Sequence, residues 1–256
     1  MNKIWTDDNT LFLKENYHKL SNIELVQKLN MNIKSIYDKA YSIGLKKKFK
    51  SSKYIVNHHC LDVCNNDIAY ILGYIMADGN IYKNYLQLEC NTQDISIIQF
   101  IKDILVPNYN IRFRIRNLRN YCYLNIGNKL LIEKLAEYNI VPRKTGNEKL
   151  PLISKEFHGD YLRGLFDGDG CITLCGTPNK KYPSWNLCSH SKTFLEQINN
   201  ILNNTCGIYK SNDSWSLATN KFSSIQYIFN IMYTSQKFCL KRKYNKFLKL
   251  GFIKDA

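Results

Sequence analysis

The sequence predicts an α+β protein. Two pseudo-symmetric αββαββα halves form a saddle-like antiparallel sheet surface, preceded by an all-α module of three helices. Three observations predict this. First, "YILGYIMADGNIY" (70–82) and "YLRGLFDGDGCIT" (161–173) share one pattern: aromatic lead-in, glycine, apolar run, small residue, aspartate, glycine, then isoleucine. Second, stretches with the period-two alternation of strands follow each copy, interleaved with helical patterns in the same order. Third, the start of the chain carries only short helical patterns. The expected segments are a helical module at 1–48, a basic linker at 49–66, a first half at 67–150 and a second at 151–256.

Within the module, Thr6 is positioned to cap a first helix, and Asp7 and Asp8 suit the positive end of its dipole. Ser21 and Glu24 have capping-box spacing for a second helix. Asn32 caps a third, which Gly44 ends as the residue beyond the C-cap. Ile33, Ile36, Ala40 and Ile43 give that third helix one buried face. The tight link between the second and third helices reads as a helix-turn-helix, whose last helix enters the major groove. The stretch resembles small Myb-like or homeodomain-like modules, including the tryptophan near its start.

The net charge of +15 and pI near 9.3 favour a polyanionic partner. No run of about 18 apolar residues is present, so no membrane span is expected. The first residues lack the apolar segment of a secretory signal. An intracellular location is therefore expected: the cytoplasm or nucleoid of a bacterium or phage-infected cell, or an organelle. The nine cysteines include no C-x-x-C pair and read as small buried hydrophobes. His58, His59, Cys60 and Cys64 lie close in sequence, but no second pair of ligands at zinc-site spacing accompanies them.

In the first half, Arg112, Arg114 and Arg116 alternate with Ile111, Phe113 and Ile115, which puts the arginines on one sheet face. Tyr121 and Tyr123 alternate with Cys122 and Leu124, and Gln87 and Glu89 with Leu86 and Leu88. Three arginines in register without interleaved acids repel one another, and a polyanion along the sheet relieves that. The repeated segments read as helices that stop at Asp-Gly, with the glycine left-handed at C′. Gly73 and Ala77, and Gly164 and Gly168, stand four apart, so each pair shares a helix face on which two backbones can approach closely. Such a crossing brings Asp78 and Asp169 together at the negative ends of two helices. That pairing calls for a cation, and an all-oxygen site suits Mg²⁺.

Both segments are similar to the motif of the LAGLIDADG homing endonucleases. "PRKTGNEKLP" and "CLKRKYNKF" are further family-like stretches, and the repeat spans roughly residues 57–250. Two copies in one chain resemble the monomeric branch of that family. The resemblance implies two or three Mg²⁺ ions shared between Asp78 and Asp169, with the carbonyls of Ala77 and Gly168 also facing metal. It implies cleavage of both DNA strands across the minor groove, leaving short 3′ overhangs. Asp167 has Met76 as its counterpart and is read as non-catalytic. The resemblance also implies a lysine or other polar residue near the site, to position water and stabilise charge on the phosphate. Lys129 and Lys221, 92 positions apart, are the candidates by pseudo-symmetry.

The expected DNA contacts fall in three groups. The module offers Lys34, Lys39, Tyr41, Lys46 and Lys47. The first half offers Lys83, Gln87, Arg112, Arg114, Arg116, Arg119 and Tyr121. The second offers Lys180, Lys181, Lys210 and Lys241. The expected partner is double-stranded DNA with a long asymmetric site, with intron RNA as an additional partner. Alternatives on the same scaffold are a non-cleaving transcriptional regulator and an intron RNA maturase. Retention of both aspartates argues against a pure binder, which would do better electrostatically with asparagine in either place.

Overall fold

The structure is a computed structural model that describes residues 5–20, 22–45, 54–234 and 238–252. The chain divides into two compact units, Met1–Lys53 and Tyr54–Ala256. Ser21, Lys46 and Lys47 lie outside the described residues.

The first unit holds helices α1 (Asp7–Asn16), α2 (Asn22–Leu29) and α3 (Ile33–Ser42). The Thr6 side chain accepts from the Asn9 amide at the start of α1, and the Asn32 side chain accepts from the Ser35 amide at the start of α3. Asn30 takes a left-handed φ of 50°, which allows the short turn between α2 and α3. Gly44, with φ of 75°, ends α3 in a Schellman arrangement. Its amide donates to the Tyr41 carbonyl, and that of Leu45 to Ala40. Leu13, Tyr17, Leu25, Leu29, Met31, Ile36 and Ala40 form a separate core.

The second unit repeats one sequence of elements. The first copy runs α4 (Asn66–Asp78), β1 (Asn80–Tyr82), β2 (Tyr85–Asn91), α5 (Ile95–Leu105), β3 (Arg112–Arg116), β4 (Arg119–Gly127) and α6 (Lys129–Glu137). The second runs α7 (His158–Asp169), β5 (Gly170–Thr177), β6 (Lys180–Ser189), α8 (Lys192–Ile201), β7 (Gly207–Ser211), β8 (Ser214–Thr219) and α9 (Phe222–Tyr233). Each copy makes a four-stranded antiparallel sheet, ordered β1-β2-β4-β3 and β5-β6-β8-β7. The fold is the expected α+β repeat. One further helix, α10 (Lys241–Lys249), follows the second copy; the repeat pattern gives no warning of it.

Strand alternation decides which sheet face meets the helices. Leu86, Leu88, Cys122, Leu124 and Ile126 are buried on one side of the first sheet, and Ile172, Trp185, Leu187 and Leu217 on one side of the second. Gln87, Glu89, Tyr121 and Tyr123 share the opposite, helix-free face of the first sheet by register. The apolar side of the edge strand β3 is open: Phe113 is 62% exposed and Ile115 75%.

Two expectations need correction. Residues 54–66, read as the end of a linker, pack onto the first copy. The Tyr54 hydroxyl accepts from the Gly127 amide at 2.7 Å, the Asn57 amide donates to the Leu105 carbonyl, and Leu61 is buried. Apolar Tyr54, Val56 and Leu61 override the basic character of the stretch before them. The cysteines are not uniformly buried either: Cys171 and Cys188 are exposed on the second sheet.

Candidate active site

Helices α4 and α7 cross in backbone contact. A Cβ on Gly73 would overlap the Tyr161 carbonyl, one on Gly164 the Tyr70 carbonyl, and one on Gly168 the Cβ of Ala77. The small residues are there because two main chains occupy the space a side chain would need. Both helices end at their aspartates, and Asp78 and Asp169 meet at the crossing. The Asp78 carboxylate lies 3.5 Å from where a Gly168 Cβ would stand.

The glycines that follow do not take the left-handed conformation expected of them. Gly79 (φ −75°, ψ 139°) and Gly170 (φ −87°, ψ 155°) are extended and lead directly into β1 and β5. Space is the requirement instead. A Cβ on Gly79 would come within 2.5 Å of the Ile75 carbonyl, and one on Gly170 would meet the Phe166 ring.

Both aspartates are exposed to solvent as residues, yet protein encloses enough of each carboxyl for desolvation to matter. Asp78 is raised above the ordinary carboxylate range by burial, offset by a Tyr74 hydrogen bond and by Lys243 and Lys144. Asp169 is pushed up to about 6 by burial and by the Asp78 charge, against the pull of the same two lysines.

Those lysines are Lys144 and Lys243, not the expected Lys129 and Lys221. Lys129 pairs with Glu133 at 3.1 Å and is 60% exposed. Lys221 is exposed at the N-cap of α9. Pseudo-symmetry correctly matches the starts of the last helices, but those helices do not carry the site lysines. Lys144, between the copies, donates to the Ala77 carbonyl at 3.3 Å. Lys243, on α10, is buried with its ammonium within hydrogen-bond reach of four carbonyls at the end of α7: Phe166 at 2.6 Å, Asp167 at 2.9 Å, Gly168 at 3.1 Å and Gly170 at 2.8 Å. It occupies the negative end of the helix dipole and adds a cationic partner to carbonyls there. Burial pushes Lys243 down to about 8. The carbonyls of Ala77 and Gly168, expected to face metal, thus each already accept from an ammonium group. Both lysines lie in the stretches "PRKTGNEKLP" and "CLKRKYNKF", which is the signal that could have found them.

Asp167 points away from this site. One of its oxygens accepts from the Tyr70 hydroxyl and the Leu240 amide, both at 2.8 Å, so it ties α7 to α4 and to the segment before α10. The two aspartates, by contrast, are hard oxygen donors held together at a cost in mutual repulsion. Mg²⁺ keeps several waters and takes one or two carboxylates plus substrate phosphate oxygens, so the donor set fits that ion.

The expected DNA-contacting residues divide. Arg112, Arg114 and Arg116 project from β3 on the helix-free face with Gln87 and Tyr121, and Arg119 lies opposite Arg116. They are not free of acids: Glu89 forms ion pairs with Arg114 and with Arg116. Lys83 sits in the β1–β2 turn, 5.3 Å from the Tyr82 ring. Lys180 is on the helix-free side of the second sheet. Lys181 and Lys210 fall in register with Gly176 and Trp215, on the helix side, because each is one position out of phase with the outward residues. Lys241 is exposed at the start of α10. In the first unit Lys34 and Tyr41 are exposed on α3, while Lys39 lies 5.8 Å from the Trp5 ring. His59 pairs with Asp62, and the Cys60 thiol donates to the Asn57 carbonyl, so these side chains face different partners. Among the described residues no helix is long and apolar enough to cross a membrane.

Residues 156–238 match the model of the LAGLIDADG-like domain. Solved structures of similar fold include the I-LtrWI LAGLIDADG homing endonuclease bound to target DNA (TM-score 0.52, 14% identity, 76% of this chain and 90% of that one). They also include I-GzeII in complex with its DNA target (0.51, 14%, 72% and 88%) and I-AabMI bound to uncleaved DNA (0.51, 12%, 72% and 88%). The repeated unit, whose residues 156–238 match the LAGLIDADG-like domain, therefore has the LAGLIDADG fold.

Proposed function

We propose that this chain is a site-specific, divalent-metal-dependent endonuclease that cuts both strands of DNA, as a homing endonuclease does, and leaves short 3′ overhangs. One observation carries the reading: Asp78 and Asp169 meet at the ends of two helices locked in backbone contact, with Lys144 and Lys243 beside them. A binding module gains nothing from two adjacent carboxylates on its nucleic-acid side. The solved structures of similar fold, homing endonucleases bound to DNA, point the same way.

Asp78 and Asp169 would hold Mg²⁺, which when bound neutralises charge on the scissile phosphate and acts as a Lewis acid. The protein's own groups supply the rest. The glycine contacts of α4 and α7 fix the spacing of the two carboxylates, one for each strand. Tyr74 orients Asp78 through a hydrogen bond. Lys243 locks the end of α7 and with it Asp169. Lys144, less encumbered, offers positive charge to a phosphate at the same place. The helix-free sheet faces receive the duplex, and α3 of the first unit extends the recognised site. Because one chain carries both copies, the protein acts as a monomer.

The test is to incubate the protein with Mg²⁺ and a randomised duplex library and sequence the ends, with Asp78→Asn and Asp169→Asn as controls. Ends that share one long asymmetric site, absent with either variant, support the reading. Enrichment of bound but uncut duplex by the wild type would instead favour a regulator on this scaffold.

A further inference from the structure

The two sheets present different chemistry to the same duplex. The helix-free face of the first sheet carries Arg112, Arg114, Arg116 and Arg119 against one carboxylate, Glu89. The matching face of the second sheet carries Cys171, Thr173, Ser184, Asn186, Cys188 and Ser216, and Lys180 is the one cation on that side of β5–β8. A repeat that grips DNA by charge alone has no reason to be so unequal.

The arginines are also held in place. Glu89 pairs with one terminal nitrogen of Arg114 and one of Arg116. The guanidinium of Arg114 lies 5.2 Å from the Tyr123 ring centre, and that of Arg116 lies 4.9 Å from that of Tyr121. For neutralising phosphates, a carboxylate in this cluster is a disadvantage, since it cancels charge and repels the backbone. For reading bases it is an advantage. It fixes the direction of each planar fork and leaves the remaining N–H groups for a bidentate acceptor. The acceptor pair that fits such a fork in the major groove is guanine O6 and N7.

The second face offers short hydroxyl, amide and thiol groups together with the exposed rings of Tyr182 and Tyr209. Asparagine pairs with adenine, hydroxyls serve either base, and small apolar groups contact the thymine methyl. Apart from Lys180 at the start of β6, nothing on it suits the paired acceptors of guanine.

We propose that the target site is compositionally polar: a guanine-containing half lies on β1–β4, read by Arg114 and Arg116 with Glu89 as their positioning residue, and an A·T-rich half lies on β5–β8. This rests on the DNA-binding part of the function proposed above but not on cleavage. Selection is therefore made on bound duplex from a random library, using the full chain without divalent metal. The expected result is one site whose guanines concentrate in one half. Arg114→Gln and, independently, Arg116→Gln should each relax a single guanine position roughly tenfold or more, leaving the other half unchanged. Glu89→Gln should relax both of those positions together. Half-sites of equal composition overturn the proposal. So does a uniform loss of affinity for all sequences in the arginine variants, which is the signature of phosphate contacts. If no duplex is selected at all, the DNA-binding reading fails and takes this proposal with it. Selection without cleavage in a parallel Mg²⁺ experiment removes only the nuclease.

Discussion

Arg242 holds Asp94 by two parallel hydrogen bonds of 2.7 Å, reaching from the last helix to the first copy of the repeat. Its neighbour Lys243 turns the other way, into the end of α7. Helix α10 therefore fastens one copy to the end of α7 in the other through adjacent residues.

Replacing Arg242 by alanine leaves Asp94, which is 6% exposed, without its fork. Because the arginine side chain is 43% exposed, the expected loss of stability is about 1–3 kcal/mol rather than the larger figure for a fully buried pair. Cleavage should fall further than stability explains, since Lys243 loses its anchor. Denaturant unfolding alongside single-turnover cleavage of Arg242→Ala and Asp94→Asn checks this. Equal, small effects on both would mean that α10 is a passive cover.

Asp169 yields a prediction from its titration. Burial and Asp78 push it up to about 6, above the usual carboxylate value near 4. Between about pH 4 and 6 the folded protein keeps a proton that the unfolded chain has released, so stability falls as pH rises through that window. Without divalent metal at pH 7.5, Asp169→Asn should therefore be more stable than wild type. The gain is about 1 kcal/mol, after allowing for the solvent-exposed tip of the carboxylate, or a few degrees in Tm. It should vanish below about pH 4. Mg²⁺ should raise the Tm of the wild type at pH 7.5, raise it less as pH falls below about 6, and raise that of the variant little. Thermal melts across pH with and without Mg²⁺ read all three. An asparagine variant less stable than wild type at pH 7.5 would remove the repulsion argument.

The helix crossing yields another. A methyl group at Gly73 or Gly164 meets a backbone carbonyl, which has no rotamer by which to escape. Each alanine substitution should cost about 3 kcal/mol, the upper end of the range for overpacked cores, and should shift the separation of the two carboxylates. Chemical denaturation gives the first number and Mg²⁺ affinity the second. Tolerance within about 0.5 kcal/mol at both glycines would mean that the helices can part cheaply.

The repeat, the crossing glycines and the twin aspartates were legible because each depends on short-range spacing: four residues along a helix, two along a strand. The site lysines were not. Lys144 and Lys243 reach the helix ends from a loop and from a helix outside the repeat, and no local period relates them to Asp78 or Asp169. Alternation set the face of Arg114, but the face alone did not reveal its pairing with Glu89. That acid sits on β2, two strands away in the sheet, and the pairing depends on register through β4. The extended glycines were misread for a similar reason. Asp-Gly at a helix end usually marks a left-handed cap, but here a strand begins at once and its direction overrides the local preference.

The division of the chain leads to the last prediction. Among the described residues, the first unit buries seven hydrophobic residues of its own, Leu13 to Ala40, and the second has a separate core that already includes residues just after the boundary, such as Leu61. Neither core contains a residue of the other, so removing residues 1–53 should leave the second unit cooperatively folded. The proposed chemistry rests on Asp78, Asp169, Lys144 and Lys243, which are all retained, so cleavage at saturating DNA should change by less than about threefold. Affinity should fall, because the exposed Lys34 and Tyr41 of α3 and the basic stretch that follows them are lost. Each lost phosphate contact should also lower the salt dependence of binding by about one unit of slope. Titration of the selected duplex at several salt concentrations, with full-length and shortened protein, measures both. If the shortened protein is folded and binds DNA but does not cut it, the first unit contributes to the active site itself and not merely to the length of the site.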